Sequence, residues 1–457
     1  MPIQISDLSD AVLHTHYAVR GLIVARAQEL ERTGRQIIYC NIGNPQALGQ
    51  KPLTWVRSVL SLCEYPELME GRNADAFPAD VVETARNILA WSKHGLGAYS
   101  ESKGMRFVRE AIARFIRDRD SADGVEQITD PEHIYLTDGA SKGVQAALRL
   151  LISSEKDGIL IPIPQYPLYS ATITLYGGRQ VGYYLDEEAG WSLDEHMLEE
   201  AIQRAHKEGI HVRAIVVINP GNPTGSVLSE DNIAMVIRFA RRHNLTILAD
   251  EVYQDNVYKP GARFISFAHM MAKLREQEVS LFSFHSTSKG FFGECGHRGG
   301  YMEVRNIPEE VIAQITKLQS VSLCSNVPGQ IVTYLLVRPP RPDEPSRARY
   351  EEERNGILST LATRARMLEE GLNRIPGIHC QPIAGAMYAF PSITLPPGRT
   401  DEQYCMALLE QTGVCVVPGS GFGQKEGTAH FRTTILPPTE QIGAVVDALD
   451  SFHRRWS

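Results

Sequence analysis

Residues 212–253 read VRAIVVINPGNPTGSVLSEDNIAMVIRFARRHNLTILADEVY. The stretch begins with a β-branched apolar run, residues 212–218, and closes with a second run, residues 245–249. Between them, apolar residues recur at spacings of three and four from Ser229 to His243, which is typical of a helix that packs on a sheet. A strand, a helix and a second strand in this order form a βαβ unit, so the stretch predicts two parallel strands.

The same alternation continues in both directions along the chain. Further strands are predicted at residues 133–136, 159–163 and 279–284. They are separated by helix-period segments such as SKGVQAALRLL, residues 141–151, and LDEHMLEEAIQRAH, residues 193–206. We therefore predict a large α/β domain with a mainly parallel sheet.

The chain is long enough for a second domain. It has 457 residues, whereas single hydrophobic cores stop growing at roughly 250–300 residues. Residues 338–354, RPPRPDEPSRARYEEER, form a proline-rich, charged stretch that predicts an exposed junction followed by a helix. We expect residues 81–337 to form the large domain and residues 338–457 a smaller α/β unit, to which an N-terminal segment, residues 1–80, contributes.

Composition narrows the class of protein and its compartment. The 46 Lys and Arg against 54 Asp and Glu give a net charge of −8, which argues against a nucleic-acid surface as the main function. The seven cysteines have no metal-ligand spacing and are interpreted as reduced thiols, which predicts the cytoplasm. Acidic residues in the N-terminal segment argue against a transit peptide. No apolar run approaches the ~18 residues that span a bilayer, so we expect no membrane anchor.

The strand predicted at 279–284 overlaps the start of the segment LFSFHSTSKGFFGECGHRGGY, residues 281–301. Lys289 follows the strand end, with a hydroxyl at Ser286 and a planar cation at Arg298. These two side chains are suited to a phosphate dianion beside a lysine that forms a Schiff base. An isolated lysine is far more often a solvated surface residue, so the neighbouring segments must decide.

A carboxylate follows the strand at 245–249. Asp250 stands at the strand end, with Tyr253 three residues later, and open parallel sheets bind ligands beyond the carboxyl ends of their strands. A carboxylate there could pair with a protonated pyridine nitrogen and make the ring an electron sink. The alternatives are a helix N-cap or a metal ligand.

Two loops add polar groups at the same edge of the sheet. NPGNPTG, residues 219–225, offers the amide of Asn222 as a donor, although a tight turn alone would explain its composition. TDGASKG, residues 137–143, joins a strand to a helix, so the backbone N–H groups of Ala140 and Ser141 would face an anion. The alternative is an ordinary helix cap. The absence of GxxxxGK[ST] and GxGxxG disfavours a nucleotide ligand.

Taken together and in order, these segments resemble the class I/II aminotransferases of fold type I, which use pyridoxal 5′-phosphate (PLP), and among them the alanine aminotransferases. The resemblance covers residues 97–438. The segments that carry it are TDGASKGVQ, PQYPLYS, NPGNPTG, ADEVYQDNVY, SFHSTSKG, GECGHRGGY, GAMYAFP and CVVPGSGFGQKEGTAHFRTTILPP. It implies a large domain with a mainly parallel seven-stranded sheet, plus a smaller α/β domain.

The resemblance also assigns roles around the cofactor. It implies that Lys289 holds PLP as a Schiff base and that Asp250 pairs with the pyridine nitrogen. Tyr253 and Asn222 would bind the ring oxygen, and Tyr166 would stack on the ring face, although a packed tyrosine is the alternative for Tyr166. The implied phosphate ligands are Ala140, Ser141, Ser286 and Arg298. No metal is implied.

The substrate and a second subunit are assigned in the same way. Arg432 in HFRTTI resembles the arginine that clamps the substrate α-carboxylate, a task suited to a planar fork of donors. Gly43 and Asn222 are implied to lie beside it. Tyr99 resembles the tyrosine that reaches the phosphate of the neighbouring subunit's cofactor, which implies a homodimer with shared active sites and dimer contacts in the N-terminal segment.

The reaction that the resemblance implies is ping-pong transfer of an amino group between L-alanine and 2-oxoglutarate, with Lys289 as acid and base. Glutamate:glyoxylate aminotransferases are very similar, and no match is found for the arginine that aspartate-specific enzymes use on the second carboxylate. Two other classes stay open: a PLP lyase or synthase on the same scaffold, and a non-catalytic ligand-binding member. The intact set of Lys289, Asp250 and Arg432 disfavours the latter.

Overall fold

A computed structural model describes residues 2–17, 21–121, 124–126 and 129–456. The helices are α1 (Asp10–Leu13), α2 (Leu22–Arg32), α3 (Thr54–Glu64), α4 (Ala79–Ser92), α5 (Arg106–Asp120), α6 (Ala140–Leu151), α7 (Pro167–Leu175), α8 (Glu195–Lys207), α9 (Glu230–His243), α10 (Phe267–Leu274), α11 (Glu309–Val321), α12 (Val327–Val337), α13 (Arg347–Leu372), α14 (Asp401–Thr412) and α15 (Thr439–Trp456). The strands are β1 (Ile38–Tyr39), β2 (Ile134–Leu136), β3 (Asp157–Ile163), β4 (Arg179–Tyr184), β5 (His211–Ile218), β6 (Thr246–Asp250), β7 (Leu281–Ser286), β8 (Gly300–Arg305), β9 (Ile378–His379), β10 (Tyr388–Ala389), β11 (Ser392–Ile393), β12 (Val414–Cys415), β13 (Val417–Pro418) and β14 (Phe431–Thr434).

A seven-stranded sheet forms the centre of the large domain. Its strand order is β2-β8-β7-β6-β5-β3-β4. The pairs from β7 through β6, β5 and β3 to β4 are parallel, and β8 is antiparallel to both of its neighbours. The predicted fold class is therefore confirmed. Strand β6 ends at Asp250, which pairs with Ile218 of β5 and Phe284 of β7, so the carboxyl ends of three parallel strands lie side by side.

Both faces of the sheet are covered, as the unbroken apolar runs of its strands require. Successive residues of a strand point to opposite faces. Along β5, Ile215 and Val217 join the apolar layer under α8, α9 and α10, whereas Ala214 and Val216 join the layer under α6, α7 and α11. The central strands of the sheet are thereby enclosed between two apolar layers of helices.

Helix α9 illustrates how the local sequence sets an element's limits. The Ser229 side chain caps the helix by accepting a hydrogen bond from the backbone N–H of Asn232, and acidic residues fill the first turn. Basic residues fill the last turn, where they interact favourably with the negative end of the helix dipole. The helix ends at Asn244, which adopts the left-handed conformation. Ile233, Val236 and Ile237 are among the residues buried on the sheet side, which confirms the predicted helix.

The smaller domain contains the C-terminal elements from α13 onward, joined by α2 and β1. Strand β1 pairs in parallel with β12, and the short antiparallel sheet β10-β14-β13 presents Arg432 from its middle strand. Helix α3 lies in the segment predicted to contribute to the smaller domain, residues 1–80, but it packs with α4 and α12 in the core of the large domain. Its buried face, which includes Trp55, Val56 and Val59, matches the apolar surface of those helices.

Candidate active site

A cavity of about 830 Å³ lies where the carboxyl ends of β5, β6 and β7 face the smaller domain. Asp250 is the last residue of β6 and Ser286 the last of β7, while Lys289 follows three residues later. The predicted site residues that line this single cavity are Gly43, Ala140, Ser141, Tyr166, Asn222, Asp250, Tyr253, Ser286, Lys289, Arg298 and Arg432. Residues from both termini and from the middle of the chain therefore converge.

Lys289 contributes an amine to the lining of the cavity. Its Nζ donates a hydrogen bond to the carbonyl oxygen of Gly43 at 2.7 Å and lies 5.9 Å from the centroid of the Tyr253 ring. A Cβ on residue 43 would stand 1.8 Å from the Tyr388 hydroxyl oxygen and 3.1 Å from Lys289 Nζ. Only glycine leaves room for both side chains, so Gly43 acts through its backbone and its lack of a side chain.

Asp250 is a buried carboxylate with one satisfied oxygen. Its Oδ2 accepts a hydrogen bond from the Tyr169 hydroxyl at 2.9 Å. Its Oδ1 is buried and has no hydrogen-bond partner within the described residues. Burial raises the pKa of Asp250 from 3.8 to about 6, although the Tyr169 hydrogen bond, the nearby backbone N–H of Val252 and the Lys289 charge act in the opposite direction. An unpaired, buried carboxylate oxygen is costly unless a ligand supplies a donor.

A group suited to an anion lies at the N-terminus of α6. Arg298 Nη2 donates to Ser141 Oγ at 3.3 Å and to the carbonyl oxygen of Asp138 at 2.9 Å. Gly139 precedes the helix with φ 73°, and a Cβ there would stand 2.5 Å from Arg298 Nη2. The guanidinium can lie against the helix end only because residue 139 has no side chain. Free helix N–H groups, a hydroxyl and a cation together favour a phosphate.

Arg432 lines the cavity from β14 of the smaller domain and is 1% exposed. Its guanidinium carbon is 4.2 Å from the Tyr388 ring centroid and 4.6 Å from that of Phe422, so the group lies against two aromatic faces. Nη1 donates to Asn222 Oδ1 at 3.2 Å, and Nη2 donates to the carbonyl oxygen of Asn41 at 2.6 Å. The fork is held rigidly and is suited to a carboxylate.

The remaining two predicted residues differ in position. Tyr166 lines the cavity, and its hydroxyl lies 3.0 Å from that of Tyr17, near the N-terminus. Tyr99 is 79% exposed and lies outside the lining of the cavity formed by the described chain. Its assignment to a neighbouring subunit's site stays a prediction.

Three tyrosines in or beside the cavity were not predicted from the sequence. Tyr388 is buried in the cavity. Burial by itself would raise its pKa, but the charges of Lys289 and Arg432 bring the pKa below its ordinary value. It lies in the quoted segment GAMYAFP, but nothing there distinguishes the tyrosine from a core aromatic. Tyr17 and Tyr169 gave no signal, because their partners are 149 and 81 residues away in sequence.

The arrangement fits PLP on three separate points. Lys289 supplies an amine for the aldehyde, the unpaired Asp250 Oδ1 can accept from the pyridine nitrogen, and Ser141, Ser286 and Arg298 can bind the phosphate. Among the described residues, no cluster of His, Cys, Asp or Glu is arranged to hold a metal ion. Fold and site together define a PLP-dependent enzyme of fold type I.

Comparison with known proteins identifies the family. The family described as Aminotransferase class I and II matches residues 61–449, and the chain belongs to it. It is 48% identical to Alanine aminotransferase 1, mitochondrial of Arabidopsis thaliana, over 99% of this chain and 87% of the relative. It is 47% identical to Glutamate–glyoxylate aminotransferase 2 of the same plant, over 98% of this chain and 95% of the relative. A solved structure of alanine aminotransferase from Pyrococcus furiosus aligns with a TM-score of 0.80 and 26% identity, over 98% of this chain and all of that one.

Proposed function

We propose that this PLP-dependent aminotransferase transfers the amino group of L-alanine to 2-oxoglutarate, giving pyruvate and L-glutamate by a ping-pong mechanism. The convergence of Lys289, Asp250 and Arg432 on one cavity carries the chemistry. The choice of alanine is supported by the relative named alanine aminotransferase, which is 48% identical over 99% of the chain.

Different side chains of the cavity bind the substrate, transfer the proton and hold the cofactor. Bound PLP supplies an aldehyde and an electron-withdrawing ring. Arg432 binds the substrate α-carboxylate, and its fixed fork orients the Cα of the amino acid. Lys289 Nζ would remove the proton from the substrate Cα and then, as the acid, deliver it to the cofactor carbon that carried the aldehyde. Asp250 would hold a proton at the pyridine nitrogen, and Asn222, whose amide oxygen accepts from Arg432, would bind the ring oxygen of the cofactor.

A glutamate:glyoxylate aminotransferase is the second candidate, because a relative with that name is 47% identical over 98% of the chain. The test is a matrix of amino donors and keto acceptors with purified holoenzyme. We expect the highest kcat/KM for alanine with 2-oxoglutarate. A higher value for glutamate with glyoxylate would favour the second candidate, and release of ammonia without an acceptor would favour a lyase.

A homodimer with shared active sites is part of the proposal. Large apolar side chains are exposed on the described surface, including Trp91, Val321 and Leu323, together with Tyr99, and these are the side chains that we expect a partner subunit to cover. Light scattering is expected to give twice the chain mass of 50.8 kDa. In the dimer, Tyr99→Phe should weaken PLP binding, whereas an enzyme that is fully active as a monomer would contradict the assignment.

We propose the cytoplasm as the compartment. All seven cysteines are free thiols, and Cys40, Cys63, Cys380, Cys405 and Cys415 are buried. In the described part of the chain, no helix is both long and apolar enough to cross a bilayer. Fluorescent tagging at the C-terminus in the source cells, with cytosolic and organelle markers, would test the proposal; colocalisation with an organelle marker would contradict it.

A further inference from the structure

Tyr169 stands behind the cavity rather than in its lining. It belongs to α7 and is 0% exposed, within the apolar layer that also contains Val216 and Leu248. Its hydroxyl donates a hydrogen bond of 2.9 Å to Asp250 Oδ2. The contact joins residues 81 positions apart in the chain. Among the described residues, no other side chain donates a hydrogen bond to this carboxylate.

The direction of this hydrogen bond follows from the surroundings. Burial, and then the charge of Asp250, raise the pKa of Tyr169 well above its ordinary value, so the phenol keeps its proton and acts as the donor. Asp250 Oδ2 is thereby occupied, while Oδ1 is left without a partner among the described residues. The two oxygens of one carboxylate are distinguished before any ligand binds.

We propose that Tyr169 is a positioning residue for the PLP site. Its hydroxyl fixes the orientation of the Asp250 carboxylate and favours its ionised form, so that Oδ1 is the oxygen that accepts from the pyridine nitrogen. This inference rests on the proposed pairing of Asp250 with that nitrogen, but not on the identity of the amino donor.

The energetic reason is the low polarity around Asp250. A buried carboxylate without donors shifts toward its neutral form, and a neutral Asp250 would no longer favour a protonated pyridine. A hydrogen bond to a charged group corresponds to roughly a 10- to 100-fold change in an equilibrium constant. The phenol side chain of Tyr169 supplies that bond without admitting water.

The experiment replaces the hydroxyl and leaves the ring. Tyr169→Phe is compared with Tyr183→Phe, because Tyr183 is also a buried tyrosine of the large domain, and its hydroxyl donates to the carbonyl oxygen of Val216 at 2.7 Å. The two readouts are the dissociation constant of PLP, from titration of the apoprotein, and the pH dependence of the cofactor's visible absorbance in the holoenzyme. Urea unfolding of each apoprotein verifies that the variants fold.

Tyr169→Phe is expected to weaken PLP binding about tenfold or more and to shift the pH at which the absorbance changes, while Tyr183→Phe matches the native enzyme. Native behaviour of Tyr169→Phe, or equal effects of the two variants, would overturn the proposal. If Tyr169→Phe does not fold, Tyr169→His, which keeps an N–H donor, replaces it: retained PLP affinity supports the proposal and lost affinity overturns it.

A double-mutant cycle with Asp250→Asn separates this inference from the proposal on which it rests. The effect of Tyr169→Phe on PLP affinity should become smaller in the Asp250→Asn background, since the hydroxyl then donates to a neutral amide oxygen instead of a carboxylate. Persistence of the full effect would overturn the role of Tyr169 alone. If Asp250→Asn by itself leaves PLP affinity unchanged, the pairing of Asp250 with the pyridine nitrogen is wrong, and both ideas fall together.

Discussion

Replacing Asp250 with asparagine should stabilise the protein when PLP is removed. The carboxylate is 4% exposed, and its Oδ1 has no partner within the described chain, so the apoprotein must bury a negative charge that the cofactor is built to neutralise. Asparagine has nearly the same shape, and its amide oxygen can still accept from Tyr169. The variant thus removes the buried charge and little else.

The magnitude follows from the pKa of Asp250, which burial raises from 3.8 to about 6. Because the folded apoprotein binds this proton more tightly than the unfolded chain does, the contribution to stability is fully present below about pH 3.8 and is lost as the pH rises through about 6. At 1.36 kcal/mol per pKa unit, the total loss is about 3 kcal/mol, of which about 2 kcal/mol falls between pH 4.5 and pH 8. Asp250→Asn lacks this loss.

Urea unfolding of the two apoproteins from pH 4.5 to pH 8 measures the difference. We expect the free energy of unfolding of the variant to rise relative to the native chain by about 2 kcal/mol over that range, and PLP to stabilise the variant less. Glu251→Gln is the matched control, because Glu251 is also fully buried, with its pKa raised by burial to about 7, but does not line the cavity. It should show the pH effect and keep the full response to PLP. A pH-independent difference for Asp250→Asn would refute the reasoning.

Three further substitutions test the catalytic assignments. Lys289→Ala should abolish transamination while PLP still binds, and borohydride should no longer fix the cofactor to the chain; measurable turnover by stopped-flow absorbance would disprove its role. Arg432→Lys should lower kcat/KM for alanine roughly 100-fold, because a lysine cannot replace the planar fork held against Tyr388; near-native kinetics would speak against the carboxylate clamp. Gly43→Ala should inactivate the enzyme, because the new Cβ would stand 1.8 Å from the Tyr388 hydroxyl oxygen, whereas Gly356→Ala, which meets nothing within 4 Å, should retain activity in the same assay.

Much of the large domain could be predicted because its signals are local. The βαβ pattern of residues 212–253 predicts parallel strands, and parallel strands bring their carboxyl ends to one edge. Asp250 and Lys289 could therefore be assigned to one site, since Asp250 ends one strand of that sheet and Lys289 follows another. The limits of β6 and β7 lie one or two residues later than predicted, since pairing with the neighbouring strands, rather than residue type, decides where a strand ends.

The sequence by itself determined the class of fold, the strand-end residues and, through the resemblance, the family. Only the tertiary structure decided which side chains touch across the chain: the Tyr169 hydroxyl on Asp250, the Tyr388 hydroxyl against Gly43 and Arg432 on the carbonyl oxygen of Asn41, 391 residues away. The physical reason is the distance along the chain over which each interaction acts. Backbone periodicity and helix caps act over a few residues, whereas these contacts depend on how α7 packs on the sheet and how the smaller domain docks over it.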